Sequence, residues 1–174
     1  MDAYRCIVSK REVRSFLPRE VPEETIRRIL KAGRWSGSSV NRQPWHFVVV
    51  RDRERLAALS RFGRFSGHVA GAAFAVALVA RSSRDLFDAG RCAQNMMLAG
   101  WSEGIGSCPA TIQDQDGARA FLGIPEDRTL VTVLSFGYPD PRASHPIERV
   151  VRRVIVGRGR RPLESMVSWE AFGR

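Results

Sequence analysis

The chain has no Cys-x-x-Cys pair, no apolar run of membrane-spanning length and almost no lysine. Cys6, Cys92 and Cys108 are odd in number and far apart, which argues against a disulfide framework or a zinc site and fits a reducing cytoplasm. The apolar run Val69 to Ala80 is too short to cross a bilayer. Asp2 and Arg5 place charge where a secretory leader needs an apolar core. A soluble, cytoplasmic protein without metal or membrane attachment is therefore expected. All but two of the 28 basic residues are arginine, and with 18 acidic residues the formal net charge is +10. Such an excess concentrates anionic ligands, among them phosphates, dinucleotides and nucleic acid, without choosing between them. Most of these arginines read equally well as solvated surface.

What is present is ordinary for a folded domain. The 174 residues, 44% apolar and 26% charged, suffice for one domain with its own core. Asp2 to Arg11 reads as a short helix with Tyr4, Ile7 and Val8 on one side. Val21-Pro22-Glu23-Glu24 is a helix start, with proline suited to the first helical position and carboxylates where the helix dipole favours them. Ile26, Ile29 and Leu30 follow at helical spacing. A strand is expected over His46 to Arg51, a charged helix over Asp52 to Ser60, and a buried central strand over Val69 to Ala80. Ser83 to Glu103 is the longest helical pattern, stopped at Gly104, and its wide apolar face belongs in the core or against a second subunit. Gly104 to Thr111 reads as a loop whose glycines admit close backbone approach to a ligand. A helix closed by Gly123 and a buried strand over Thr129 to Phe136 complete the pattern.

The most informative stretch is Ser36 to Trp45, Ser-Gly-Ser-Ser-Val-Asn-Arg-Gln-Pro-Trp, a loop delivered between a helix and a strand. Ser38, Ser39, Asn41 and Gln43 supply small donors and acceptors, and the amides offer both roles to a planar heterocycle with carbonyls and ring N–H groups. The same residues also serve a plain turn and N-cap.

This stretch resembles the Pro-Ser-x-x-Asn-x-Gln-Pro-Trp signature of the nitroreductase family of flavoproteins, with Gly37 in place of the proline. The resemblance extends from Lys10-Arg11-Glu12-Val13-Arg14 through Asp88-Ala89-Gly90 and Gln94-Asn95 to Gly104-Ile105-Gly106-Ser107 and the arginine-rich tail. It implies an α+β fold, a mostly antiparallel central sheet flanked by helices. It implies a single domain over residues 1–174 in a homodimer whose sites are each built from both chains, residues 146–174 packing on the partner subunit.

By the same resemblance one FMN is bound per site. Lys10, Arg11 and Arg14 face its phosphate and pyrimidine edge, joined by Arg158 and Arg160 of the tail. Ser38, Ser39, Asn41 and Gln43 line the ring, and Pro109, Ala110 and Thr111 pass the reacting end, with the Thr111 backbone near flavin N5. No proton-transfer residue is assigned. Glu12 stands where the family has a hydroxyl and would repel a phosphate, so it is expected to turn away and hold one of the arginines. Ile112 replaces a frequent glycine, and His68 lies near a position where some relatives place a basic residue beside the flavin.

The implied activity takes hydride from NADH or NADPH and reduces a nitroaromatic, quinone or similar small acceptor by two electrons. Other chemistries of the family, flavin fragmentation, dehalogenation and azoline oxidation, stay open. So do a flavin-binding protein of the same fold without turnover and an arginine-driven nucleic-acid binder, although no nucleic-acid motif is evident.

Overall fold

A computed structural model describes residues 2–142 and 160–173. Residues Met1–Asp140 form one compact unit and Pro141–Arg174 a second.

In the first unit four strands form one antiparallel sheet in the order β1-β2-β4-β3: β1 Trp45–Val50, β2 Phe74–Ala80, β3 Gly106–Ala110 and β4 Thr129–Gly137. The two central strands alternate side chains between two cores, as the twofold strand period requires. Phe74, Val76, Leu78, Leu134 and Phe136 face one side, where the Phe74 and Phe136 rings stack at 4.9 Å. Ala75, Ala77, Val79, Leu130 and Val133 face the other. A one-residue register shift between Leu78 and Val79 keeps Leu130 and Val133 on the same side of β4 despite their odd spacing.

Helices cover both faces, giving the expected α+β class. On the first face lie α2 Glu23–Arg34, which buries Ile26 and Ile29, and α4 Leu86–Ser102, which buries Cys92, Ala93, Met96 and Met97. On the second lie α3 Arg53–Leu59 and α5 Gln115–Leu122, started by side-chain caps from Asp52 and Asp114. The apolar face of α4 is thus satisfied largely within its own chain, although Leu86 and Phe87 at its start stay exposed. So do Tyr4, Ile7 and Val8 of α1, Ala3–Ser9. The second unit has a short 3-10 turn at Leu163–Ser165, with Leu163, Met166, Trp169 and Phe172 exposed. No helix among the described residues is long and apolar enough to cross a membrane.

Two elements differ from expectation. The central strand starts at Phe74, not Val69, because Gly67–Val69 turns as a 3-10 helix before the chain enters the sheet. Residues Gly106 to Ala110, expected as loop, pair with β4. They hold an edge position, where Pro109 can be accommodated without a ladder N–H.

Candidate functional site

The loop after α2 is held in an unusual backbone. Val40, Asn41 and Gln43 have φ of 45°, 55° and 47°. Non-glycine residues adopt this left-handed region at a cost, and a β-branched valine there is a true outlier. Polar contacts hold the shape. Gln43 N–H donates to Ser38 Oγ at 2.8 Å, and Ser39 N–H donates to Asp88 Oδ2 at 3.3 Å in the first turn of α4. Arg42 pairs with Asp85 at 3.6 Å and Arg91 with Asp88 at 3.7 Å. Asn95 Nδ2 donates to Ser36 Oγ at 2.8 Å. A guanidinium nitrogen of Arg91 lies 2.7 Å from where a Cβ on Gly37 would stand, so Arg91 occupies the space the signature's proline ring would need. Asn41 and Gln43 are left exposed.

A second cluster forms where residues 10–14 meet β3. Val13 N–H donates to Ser107 O at 2.9 Å, and Glu12 bridges Ser107 in parallel. The Lys10 side chain is only 7% exposed, lies against Met97 Sδ and forms an ion pair with Glu12. The expectation that Glu12 holds an arginine is therefore corrected. Lys10 leaves the helix with φ −56° and ψ 134°, and its ammonium meets the carboxylate two residues on. Glu12 Oε2 is buried without a hydrogen-bond partner among the described residues. Arg11 donates to the carbonyls of Val8 and Lys10, closing the end of α1, while Arg14 is exposed.

Behind this cluster His68 is tied down. Ser135 Oγ donates to Cys108 O at 3.1 Å, which leaves its lone pairs for His68 Nδ1 at 2.8 Å and assigns the proton of the neutral ring to Nδ1. Burial, then the charge of Arg14, lowers the His68 pKa against the opposing pull of Glu12, so the ring is neutral at pH 7. Its hydrogen bond to Ser135 holds the ring in place. Burial also pushes the Cys108 thiol up to about 11 and the Cys92 thiol up to about 12, so neither is an activated nucleophile.

The third piece is the end of β3. Pro109 and Thr111 are exposed and Ile112 is buried. Thr132 Oγ1 donates to Ala110 O at 3.0 Å, fixing the strand end. Residues 7–72 and 65–138 match the family model described as the nitroreductase family.

The chain belongs to the nitroreductase family. Among its relatives is nitroreductase NfnB of Mycolicibacterium smegmatis, 32% identical over 199 residues, covering 82% of this chain and 85% of that protein. A protein of Methanothermobacter thermautotrophicus with the provisional name NADH dehydrogenase/NAD(P)H nitroreductase is 34% identical over 149 residues, covering 80% of this chain and 78% of its own. The NADPH:FMN oxidoreductase of Vibrio harveyi, solved with NAD+, superposes with a TM-score of 0.80 at 22% identity, over 98% of this chain and 78% of that one. At that identity the likeness establishes the nitroreductase fold.

Within this nitroreductase-family chain, the structure brings Ser38, Ser39, Asn41 and Gln43 into one pinned loop and seats residues 12 and 13, next to the Lys10–Glu12 pair, on Ser107 of β3, two residues before Pro109. Arg160 is exposed in the second unit, and Arg158 lies outside the described residues. Sequence reasoning missed Asp85 and Arg91 among the loop's supports and gave no such role to Asp88 and Asn95, which it met only as part of the resemblance. Their three- and four-residue spacing places polar groups along one side of an otherwise apolar helix, and that was the available signal.

Proposed function

We propose that the protein is an FMN-dependent oxidoreductase that takes hydride from NADH or NADPH and reduces a small nitroaromatic, quinone or similar acceptor by two electrons. The observation that carries this is the strained, side-chain-pinned loop Ser38 to Gln43 in a chain of the nitroreductase family. Left-handed residues persist where a site over-determines them.

The residues present fit an isoalloxazine and a phosphate. Exposed amides and backbone at Asn41 and Gln43 can meet ring carbonyls and N–H groups, and Arg14 presents a solvent-facing guanidinium for the pyrimidine or phosphate end. Bound FMN supplies the redox chemistry by accepting hydride at N5 and passing two electrons on. The chain's part is to orient and polarise. Ser38 and Asp88 fix the loop, Thr132 fixes the end of β3 next to Thr111, and the exposed Arg14 would hold positive charge toward the flavin when it is bound. The two clusters meet α4 at Asp88 and Met97, nine residues or about 14 Å apart along the helix axis. In the proposed homodimer one chain's loop and the partner chain's cations complete each site. The exposed apolar residues of α1, of the start of α4 and of the 146–174 segment supply the contact. Three buried free thiols suit a cytoplasmic setting.

A flavin carrier without turnover is the second reading, favoured by the Lys10–Glu12 pair, which takes one cation away from the phosphate. One experiment separates them. Purified protein should be yellow and bleach with NADH or NADPH under anaerobic conditions, and Asn41→Ala/Gln43→Ala should lose flavin while staying folded. A yellow protein that never bleaches supports the carrier, and unchanged flavin content in the double variant removes the loop from the site. Sedimentation analysis checks the dimer, which a flavin-bound monomer would contradict.

A further inference from the structure

One surface feature stands beside the reacting end without a role so far. The turn after α3 is anchored on both sides. Phe62 packs on Phe121 at 5.6 Å, and the backbone carbonyl of Phe62 accepts from Gln113 N–H and Asp114 N–H, both at 3.0 Å. Ser66 is fully buried, its hydroxyl directed at the carbonyls of Ser60 and Gly63. Arg64 N–H donates to Gln113 Oε1 at 2.7 Å. Gly63 approaches so closely that a Cβ there would stand 2.4 Å from Thr111 O. With residues 62, 63 and 66 all fixed, the two between them are thrust outward.

Those two are Arg64 and Phe65. The Phe65 ring is 73% exposed, and the Arg64 guanidinium carbon lies 5.5 Å from its centroid. Among the described residues no carboxylate pairs with Arg64. A large ring held in water and a cation with no counter-charge, both on a clamped turn against Thr111, form a small two-part receptor.

We propose that Arg64 and Phe65 select the electron acceptor, favouring planar aromatic molecules that carry a carboxylate. The ring offers a stacking face, and the guanidinium fork matches a carboxylate in plane with two parallel hydrogen bonds. This rests on the oxidoreductase reading, in which Thr111 borders the flavin. The 2′-phosphate of NADPH carries comparable charge, but it lies at the far end of the dinucleotide from the nicotinamide. The turn that carries Arg64 touches Thr111 through Gly63, which puts it on the side of the reacting ring rather than of the adenine.

The test is calorimetric titration of the purified protein with benzoate and with its neutral analogue benzamide, joined to kcat/KM for 4-nitrobenzoate against 4-nitrobenzamide and for NADPH against NADH. Wild-type protein should prefer the carboxylate in both assays, and Arg64→Gln should reduce that preference about tenfold or more, the scale of one lost charge-assisted hydrogen bond. Phe65→Ala should weaken both members of each pair. Equal binding of benzoate and benzamide, or a preference that survives Arg64→Gln, overturns the proposal. So does a change confined to the NADPH/NADH ratio, which would assign the arginine to the nucleotide. If the protein carries no flavin, the oxidoreductase reading fails, while the benzoate titration still decides whether the receptor exists.

Discussion

Replacing Glu12 by serine tests the cation cluster most directly, because it removes the partner of a nearly buried lysine and restores the hydroxyl of the family pattern. Removing one member of a fully buried ion pair costs about 3–5 kcal/mol, and of an exposed pair about 0–1 kcal/mol. Lys10 is 7% exposed and Glu12 is 40% exposed, so solvent screens one end of the interaction. An intermediate loss of about 2 kcal/mol follows, equivalent to about 4–8 °C in Tm for a chain of this size. The buried, unpartnered Glu12 Oε2 disappears with the substitution and offsets part of that loss. With FMN present the sign reverses at the site, since the freed Lys10 gains a phosphate to bind, a charge-assisted contact of about 1.5–3 kcal/mol. Thermal melts of flavin-free and FMN-saturated protein, with riboflavin as the phosphate-free control, read both effects. Glu12→Ser should melt lower than the parent without flavin, gain more from FMN, and gain no more from riboflavin. An unchanged flavin-free melt, or equal gains from FMN and riboflavin, refutes the argument.

Val40 has φ 45° with its side chain 88% exposed, so Val40→Asn relieves left-handed strain without losing packing and should stabilise by about 1 kcal/mol in urea unfolding; a clear loss of stability would show that the valine is held by contacts instead. The Cys92 and Cys108 thiols, raised to about 12 and about 11, should resist alkylation in the folded protein at pH 8. Because folding raises both above their usual 9.0, the unfolded chain loses these protons first, so their contribution to stability is complete below pH 9 and declines from there through 11 and 12. Rapid labelling of native protein, or stability that rises over that window, contradicts this. A Cβ on Gly106 would stand 2.7 Å from Val13 Cβ, so Gly106→Ala should cost about 1–3 kcal/mol through overpacking and weaken FMN binding by displacing residues 10–14; unchanged flavin affinity would separate that segment from the site.

The helices and the central strands were legible because their signals are periodic. Ile26 and Ile29 mark the buried side of α2, Gly104 with φ 77° ends α4, and the continuous apolar run of β2 announces a strand buried on both faces. β3 was hidden because Gly106 and Pro109 are poor strand formers, and only the edge position reconciles them with the sheet. The start of β2 was blurred because Val69 and Ala72 are buried whether the backbone is extended or turned. At the site, residue types pointed to the loop, but its left-handed backbone and its dependence on Asp85, Asp88 and Asn95 come from tertiary contacts that no local pattern encodes. The Glu12 partner was misassigned because charge alone did not distinguish Lys10 from its arginine neighbours. The turn of the chain out of α1 at Lys10 brings that ammonium, not an arginine, to the carboxylate.

The seating of residues 12 and 13 on Ser107 has a further consequence for the behaviour of the protein in solution. β3 is an outer strand of the sheet, and an uncovered outer strand offers its backbone to any other chain with a free strand. Glu12 and Val13 dock along that strand where it begins, and Pro109 withholds an N–H further along, so the margin is blunted by the same few residues that carry the candidate phosphate cations. Damage to this segment therefore removes two protections together. Variants that lose the cofactor here should also be the ones that self-associate through β3, and poor solubility would accompany loss of colour as a single molecular event.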